Sequence, residues 1–357
     1  FGETVPRAVC VQMEGGLSAC FDPDSLSYRV VWRDGFVGFS DVRAGFLGGL
    51  LAQGSRVAHT PASPQAADTV YEGFCRSGSQ VGFLYRLDGV RYLDVPQVVD
   101  GQFVRQRAPL AEHPLKHLAA GGPPQWPEVI HTQGQLGTTA PFAVDTLPLP
   151  HDNPWNALLY CGGHDFLPDG SLVVCTMQGD VWRVDGVDDT LARLTWRRIA
   201  AGLHQPLGLL VVDGTIHVLG RDQITRLHDT NSDGEIDYYE CFSRAYVTSP
   251  GGHDYVMGLE RDSRGPLPDR LEQPGPAADR RRRPEPGGAR HRPAESRRDR
   301  PHALRPDHGR QQRGRLGAGE PDRGDPARAP WGPSALRPRR PAGEPAARPA
   351  AGLPASR

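Results

Sequence analysis

Leu209-Leu-Val-Val-Asp-Gly-Thr-Ile-His-Val-Leu219, continued by Gln223-Ile-Thr-Arg-Leu227, decides the fold of this chain. Two apolar, β-branched runs flank an Asp-Gly pair, a strong short-range signal for a tight hairpin, and a third run returns after Gly220. The same order stands upstream in Phe166-Leu-Pro-Asp-Gly-Ser-Leu-Val-Val-Cys-Thr176 followed by Gly179-Asp-Val-Trp-Arg-Val184. A further unit opens at Gly258-Leu-Glu-Arg-Asp-Ser-Arg-Gly265, and Gly162-Gly-His-Asp-Phe166 is echoed by Gly251-Gly-His-Asp-Tyr255. The separations from Gly170 to Gly214 to Gly265 fall in the range of roughly 40 to 50 residues that propeller blades occupy. Residues 150–265 are therefore expected to form two blades and the start of a third, an incomplete β-propeller in an all-β chain.

The second blade runs into an acidic loop, Asp229-x-Asn231-x-Asp233-Gly234-x-x-Asp237-x-x-Glu240. This is the spacing of a hard-cation loop: side-chain oxygens at Asp229, Asn231 and Asp233, Gly234 for the sharp turn, the main-chain carbonyl of Glu235, then Asp237 and Glu240. Folding the loop gathers like charges, and two of them about 5 Å apart at an effective dielectric near 20 repel by roughly 3 kcal/mol. A bound Ca2+ reverses that sign. The plain alternative is a solvated turn, for which Asn, Asp and Gly are ordinary residues. The β-branched flanks, interrupted by Gly220, place the loop on a sheet rather than between helices.

Upstream, residues 1–149 read as short strands and turns. Tyr28, Val30 and Trp32 alternate before Asp34-Gly35, and Val81, Phe83 and Tyr85 lead to Asp88-Gly89, with Asp100-Gly101 beyond. That spacing, without a long helical pattern, is expected to give a β-sandwich-like domain. Phe21 and Trp32 are read as core rather than as a sugar-binding face, since strand aromatics mostly pack inward. Gly121-Gly-Pro-Pro-Gln-Trp-Pro127 reads as a connector over the surface.

The 357-residue chain carries a net charge of −1 and is 38% hydrophobic, but these figures average two regions. Before Gly265 acid exceeds base by roughly eleven charges, and after it base exceeds acid by roughly ten. Residues 266–357 are dominated by Arg, Pro, Ala and Gly and contain no Val, Ile, Phe, Tyr or Lys. Such a segment cannot bury enough apolar surface to fold, and it reads as disordered or as GC-rich coding sequence out of frame. Its arginines are interspersed with acids and Trp331 is its one aromatic, so a nucleic-acid arm is not expected. No run approaches the ~20 apolar residues of a membrane span, and the chain opens on Phe1 without a leader pattern. Six widely spaced cysteines form neither CxxC nor CxxCH, so no haem c attachment is expected. Cys175 reads as a core residue, while spacing alone does not assign a Cys10–Cys20 bridge.

These features resemble large secreted bacterial proteins that join an uncharacterised β domain to a propeller similar to the PQQ-type sorbosone and glucose dehydrogenases. The resemblance is carried by Cys20-Phe-Asp-Pro-Asp24, Trp32-Arg-Asp-Gly-Phe36, Asn153-Pro-Trp-Asn156, Gly162-Gly-His-Asp-Phe-Leu-Pro-Asp-Gly170, Leu203-His-Gln-Pro-Leu-Gly208 and Gly220-Arg-Asp-Gln-Ile-Thr-Arg-Leu-His-Asp229. It implies an extracytoplasmic location, PQQ with Ca2+, a sugar or aldehyde substrate, and an electron acceptor or cytochrome partner, with this chain a fragment not expected to be competent alone.

Sugar oxidation of that type needs a general base and cations for the cofactor's carboxylates. His164, His204 and His253 lie in Gly- or Pro-bearing loops beside strands and are the candidate bases; Arg221 and Arg226 are the candidate anion holders. An ordinary packing role competes for each His, a surface ion pair for Arg226, and turn capping for Asp165 and Asp254. The alternative function is a non-enzymatic module that binds carbohydrate or protein. No GxSxG motif or paired carboxylates mark a hydrolase.

Overall fold

Three Asp-Gly pairs place both residues in the left-handed region: Asp88 (φ 50°) with Gly89 (79°), Asp100 (51°) with Gly101 (71°), and Asp213 (50°) with Gly214 (81°). Such turns twist in the same sense as the strands they join, so each closes a tight antiparallel hairpin. The computed structural model describes residues 4–39, 50–61, 68–246 and 255–260. His253, most of the Gly251–Tyr255 echo and the 266–357 tail lie outside the described residues.

The first blade is β12 (Cys161–Phe166), β13 (Leu172–Thr176), β14 (Val181–Asp185) and β15 (Leu194–Ala200), each paired antiparallel to the next. The second repeats it with β16 (Gly208–Val212), β17 (Thr215–Leu219), β18 (Ile224–His228) and β19 (Tyr238–Ser243). Glycine sets how closely the innermost strands approach. A Cβ on Gly162 would lie 2.7 Å from the Pro206 carbonyl oxygen, and one on Gly163 would collide with the Leu209 amide. One step on, a Cβ on Gly208 would stand 3.0 Å from the Leu259 amide, so the third unit begins against β16 as β16 stands against β12.

The N-terminal region supplies β1 (Val9–Gln12), β2 (Leu17–Asp22), β3 (Ser27–Arg33) and β6 (Ser55–His59) as one sheet, with β4 (Val37–Phe39) and β5 (Leu50–Ala52) as a separate pair. A meander follows: β7 (Thr69–Ser77), β8 (Gln80–Leu87), β9 (Val90–Val99) and β10 (Gln102–Pro109). The two face each other through aromatics in a sandwich-like core. Phe21 stacks on Phe83 with centroids 3.9 Å apart, and Tyr28 meets Phe103 edge-on at 5.1 Å. Phe21 and Trp32 are fully buried, as the core reading requires.

The division at residue 149 does not separate two sheets. β19 pairs with β7, Tyr238 opposite Cys75 and Glu240 opposite Gly73, so the second blade and the N-terminal meander form one eight-stranded sheet. Gly73 (φ 127°) permits it, because a Cβ there would collide with the Tyr239 carbonyl. In return β11 (Val129–Thr132) caps the first blade as a fifth strand against β15. One buried cluster runs through both regions, from Phe21 and Tyr85 through Tyr239 and Val218 to Cys175 and Val181. Each such large apolar side chain contributes about 1.5–3 kcal/mol by leaving water. Among the described residues, no helix is long and apolar enough to cross a membrane.

Candidate functional site

In an antiparallel meander, alternate turns fall at opposite ends of the sheet. The acidic loop joins β18 to β19 at one end, while the β15–β16 and β17–β18 connections, which carry His204 and Arg221, lie at the other.

At the first end, the loop wraps around its own amides. Asp229 accepts from the amides of Asp233 (3.2 Å) and Gly234 (2.8 Å), Asn231 from that of Asp233 (3.1 Å), and Asp233 from that of Glu235 (2.8 Å). Gly234 has φ 89°, and a Cβ there would sit 2.6 Å from Arg197 Nη1. Asp237 accepts from the Thr230 amide and hydroxyl, both at 3.0 Å, and from the Gly122 amide at 3.2 Å. These are hard oxygen donors in the order a cation loop uses; both Thr230 bonds fall on Asp237 Oδ2, while its Oδ1 and the Asp229 oxygens each keep a further lone pair beside the amide they accept. Among the described residues, no three His, Cys, Asp or Glu side chains converge on one ion position.

One of the expected ligands, Glu240, points elsewhere. Glu240 lies in β19 opposite Arg226, where it accepts from His228 Nε2 at 2.7 Å and pairs with Arg226 Nη1 at 3.6 Å. The loop is followed by a strand, not a helix, and at about 3.3 Å per residue the chain carries position twelve out of reach instead of curling it back. The side chain of Glu235, whose main-chain carbonyl was the expected donor, turns away and is buried. It accepts from the amides of Gln125 (2.7 Å) and Trp126 (2.9 Å) and faces Arg76 Nη2 at 3.5 Å. Burial pushes its carboxyl above the usual range, with the Trp126 amide and Arg76 pulling the other way.

The 121–127 connector is therefore drawn inward at this point rather than lying free on the surface. Gly121 makes this approach, since a Cβ on it would lie 2.5 Å from Asp237 Cγ. The Trp126 ring is flanked by two guanidiniums, Arg76 at 4.4 Å and Arg198 at 4.6 Å from its centre. Arg198 is itself paired to buried Asp180 at 2.6 Å. Nothing in the sequence around Trp126 announced this stack, because its partners come from β7 and β15.

At the other end, His204 and Arg221 are brought together. The Arg221 amide donates to the His204 carbonyl at 2.8 Å, and Arg221 Nη1 donates to Gln205 Oε1 at 3.1 Å. Burial lowers the pKa of the His204 ring, with Asp222 opposing and Arg221 adding to the shift. Burial raises Asp222, with His204 opposing. Asp222 lies in the short β17–β18 turn, and only the fold brings its charge to bear on the imidazole. Tyr246 braces the turn through a 2.5 Å bond from its hydroxyl to the Gly220 carbonyl.

The remaining candidates stand apart. His164 is exposed on β12 opposite Val174. Its neighbour Asp165 accepts from its successor Phe166 (2.8 Å) and from the Val211 amide of the next blade (2.7 Å). Arg226 lies on the sheet face with its guanidinium 3.9 Å from the Phe242 ring centre, donating to His217 Nε2 at 2.9 Å.

One known family matches the chain, a domain of unknown function (DUF6797), over residues 19–94. That span runs from β2 into β9 and contains neither the acidic loop nor the His204 cluster. No curated protein matches.

The His217 ring gives a pH prediction. Its Nε2 accepts from Arg226 and its Nδ1 donates to the Thr215 carbonyl at 3.1 Å, an arrangement that requires the neutral form. Burial, then Arg226, lowers its pKa, with the Thr215 carbonyl and Glu240 opposing. His204 is lowered as well, so both contribute stability that is whole above the ordinary His value of about 6.5 and declines as pH falls through the folded-state values. Glu240, lowered by the His228 hydrogen bond and then Arg226, adds a loss only below about 4.5. Urea midpoints measured from pH 8 to pH 5 are expected to fall on the acid side, with a shallower slope in His217→Gln. An unchanged slope in that variant contradicts the assignment.

Proposed function

We propose that this chain supplies the first blades of an extracytoplasmic β-propeller protein of the quinone-dependent sugar or aldehyde dehydrogenase type, with a Ca2+ ion in the loop between Asp229 and Asp237. The observation that carries it is the meeting of His204, Arg221 and Asp222 at one end of the sheet, beside successive inner strands that stack as propeller strands do. His204, held neutral, is the base for a substrate hydroxyl, with Asp222 favouring the imidazolium once the proton arrives. Arg221 would hold a carboxylate of the quinone, and bound PQQ would supply the two-electron acceptor. At the opposite end Asp229, Asn231, Asp233 and Asp237 side chains with the Glu235 carbonyl would hold the cation, whose role is to relieve their mutual repulsion. A carbohydrate-binding module without catalysis is the second reading. It is favoured by Tyr160 and Phe166, which are 47% and 51% exposed on either side of His164.

PQQ added to the chain in Ca2+ buffer is expected to quench tryptophan fluorescence saturably, with affinity about tenfold weaker in Arg221→Ala. Dye reduction by an aldose panel, measured with the frame-corrected protein whose propeller is complete, should drop by about two orders of magnitude in His204→Gln. Glycan retention without saturable PQQ binding would favour the second reading instead. For the cation, Ca2+ at a hundredfold excess over Kd stabilises by about 2.7 kcal/mol, so chelation should lower the melting temperature and Asp233→Ala should erase that response. Equal melting with and without chelator counts against the site.

A further inference from the structure

Cys10 and Cys20 are direct partners in the β1–β2 ladder, flanked by Val9 opposite Phe21 and Val11 opposite Ala19. Directly opposed residues of an antiparallel pair project from the same face with Cβ atoms about 4.5–5.5 Å apart, close to the 3.5–4.5 Å that a disulfide spans. Cys20 is buried and Cys10 half-buried, and both border the apolar cluster of Val30, Trp32 and Phe36. The Cys10 thiol beside it, and then burial, hold the Cys20 thiol far above its ordinary range. The other four cysteines sit in different strands: Cys75 in β7, Cys161 in β12, Cys175 in β13 and Cys241 in β19.

We propose that Cys10 and Cys20 form a redox-sensitive cross-strand disulfide that staples β1, an edge strand, to β2. The oxidant class is a small-molecule disulfide such as oxidised glutathione. The more accessible Cys10, as thiolate, attacks one sulfur of that disulfide, whose S–S bond breaks to release one glutathione thiolate and leave a mixed disulfide. Cys20 then loses its proton to solvent and attacks the Cys10 sulfur, expelling the second glutathione. Two protein thiols are oxidised and one glutathione disulfide is reduced to two thiols. The bridge closes a short loop, so its effect is to restrict the unfolded chain and to keep β1 from peeling away from the sheet. The inference does not depend on the dehydrogenase reading.

Trypsin cuts after Arg7 and Arg29, so both cysteines fall in the single peptide Ala8–Arg29. The full-length chain is equilibrated with oxidised glutathione, alkylated without reduction and mapped by mass spectrometry. The expected peptide is lighter by two hydrogens and takes no alkylating reagent, while the cysteines of the other strands do take it. The oxidised chain should melt roughly 5 °C above the reduced one, and Cys10→Ser should remove that difference while leaving the reduced melting temperature in place. An oxidised sample in which both residues are alkylated, or in which Cys10 keeps glutathione, overturns the proposal.

Discussion

The indole of Trp126, held between the guanidiniums of Arg76 and Arg198, ties the three parts of this structure together. Arg76 belongs to the N-terminal meander and Arg198 to the first blade, while Glu235, the partner of Arg76, belongs to the hairpin loop of the second. Asp180 balances Arg198, so each buried cation has its own anion. That balance matters because removing one member of a buried pair leaves an uncompensated charge, at a cost of about 3–5 kcal/mol. Two desolvated cation–π contacts of about 2 kcal/mol each add to the connection.

This clasp also explains the division of labour within the acidic loop. Glu235 and Asp237 point at the connector and accept the amides of Gly122, Gln125 and Trp126, Asn231 bridges by donating to the Gly122 carbonyl, and Asp229 and Asp233 close the loop on itself. The connector can come this near only because Gly121 has no side chain to strike Asp237. A loop whose outer turn is acidic and whose inner carboxylates are already engaged is held in place by the N-terminal region. The His204 cluster at the far end of the same strands is free to differ in chemistry.

What could be read from the sequence was what is local. Asp213-Gly214 and the runs around it specify a hairpin by dihedral preference and alternation alone, whereas the Gly162-Gly163 pair, read only as part of a repeat, proves to mark a close approach to Pro206 and Leu209. The pairing of β19 with β7 was hidden, because it joins segments far apart in the chain and leaves only Gly73 as its trace. Glu240 matched a spacing borrowed from helical loops and was carried off by a strand. Asp222 was masked by its resemblance to an ordinary turn residue, and Trp126 by the prolines around it, which pointed to a surface connector.

If the clasp makes the N-terminal meander and the two blades one cooperative unit, hydrogen exchange of Trp126→Ala is its most direct test. The slowest amides of Thr69–Pro109 and of β13–β15 should lose protection together, by a common factor of about a hundred, as both report one global opening. Protection lost only around residues 121–127, or in one region while the other keeps its wild-type rates, would contradict the account.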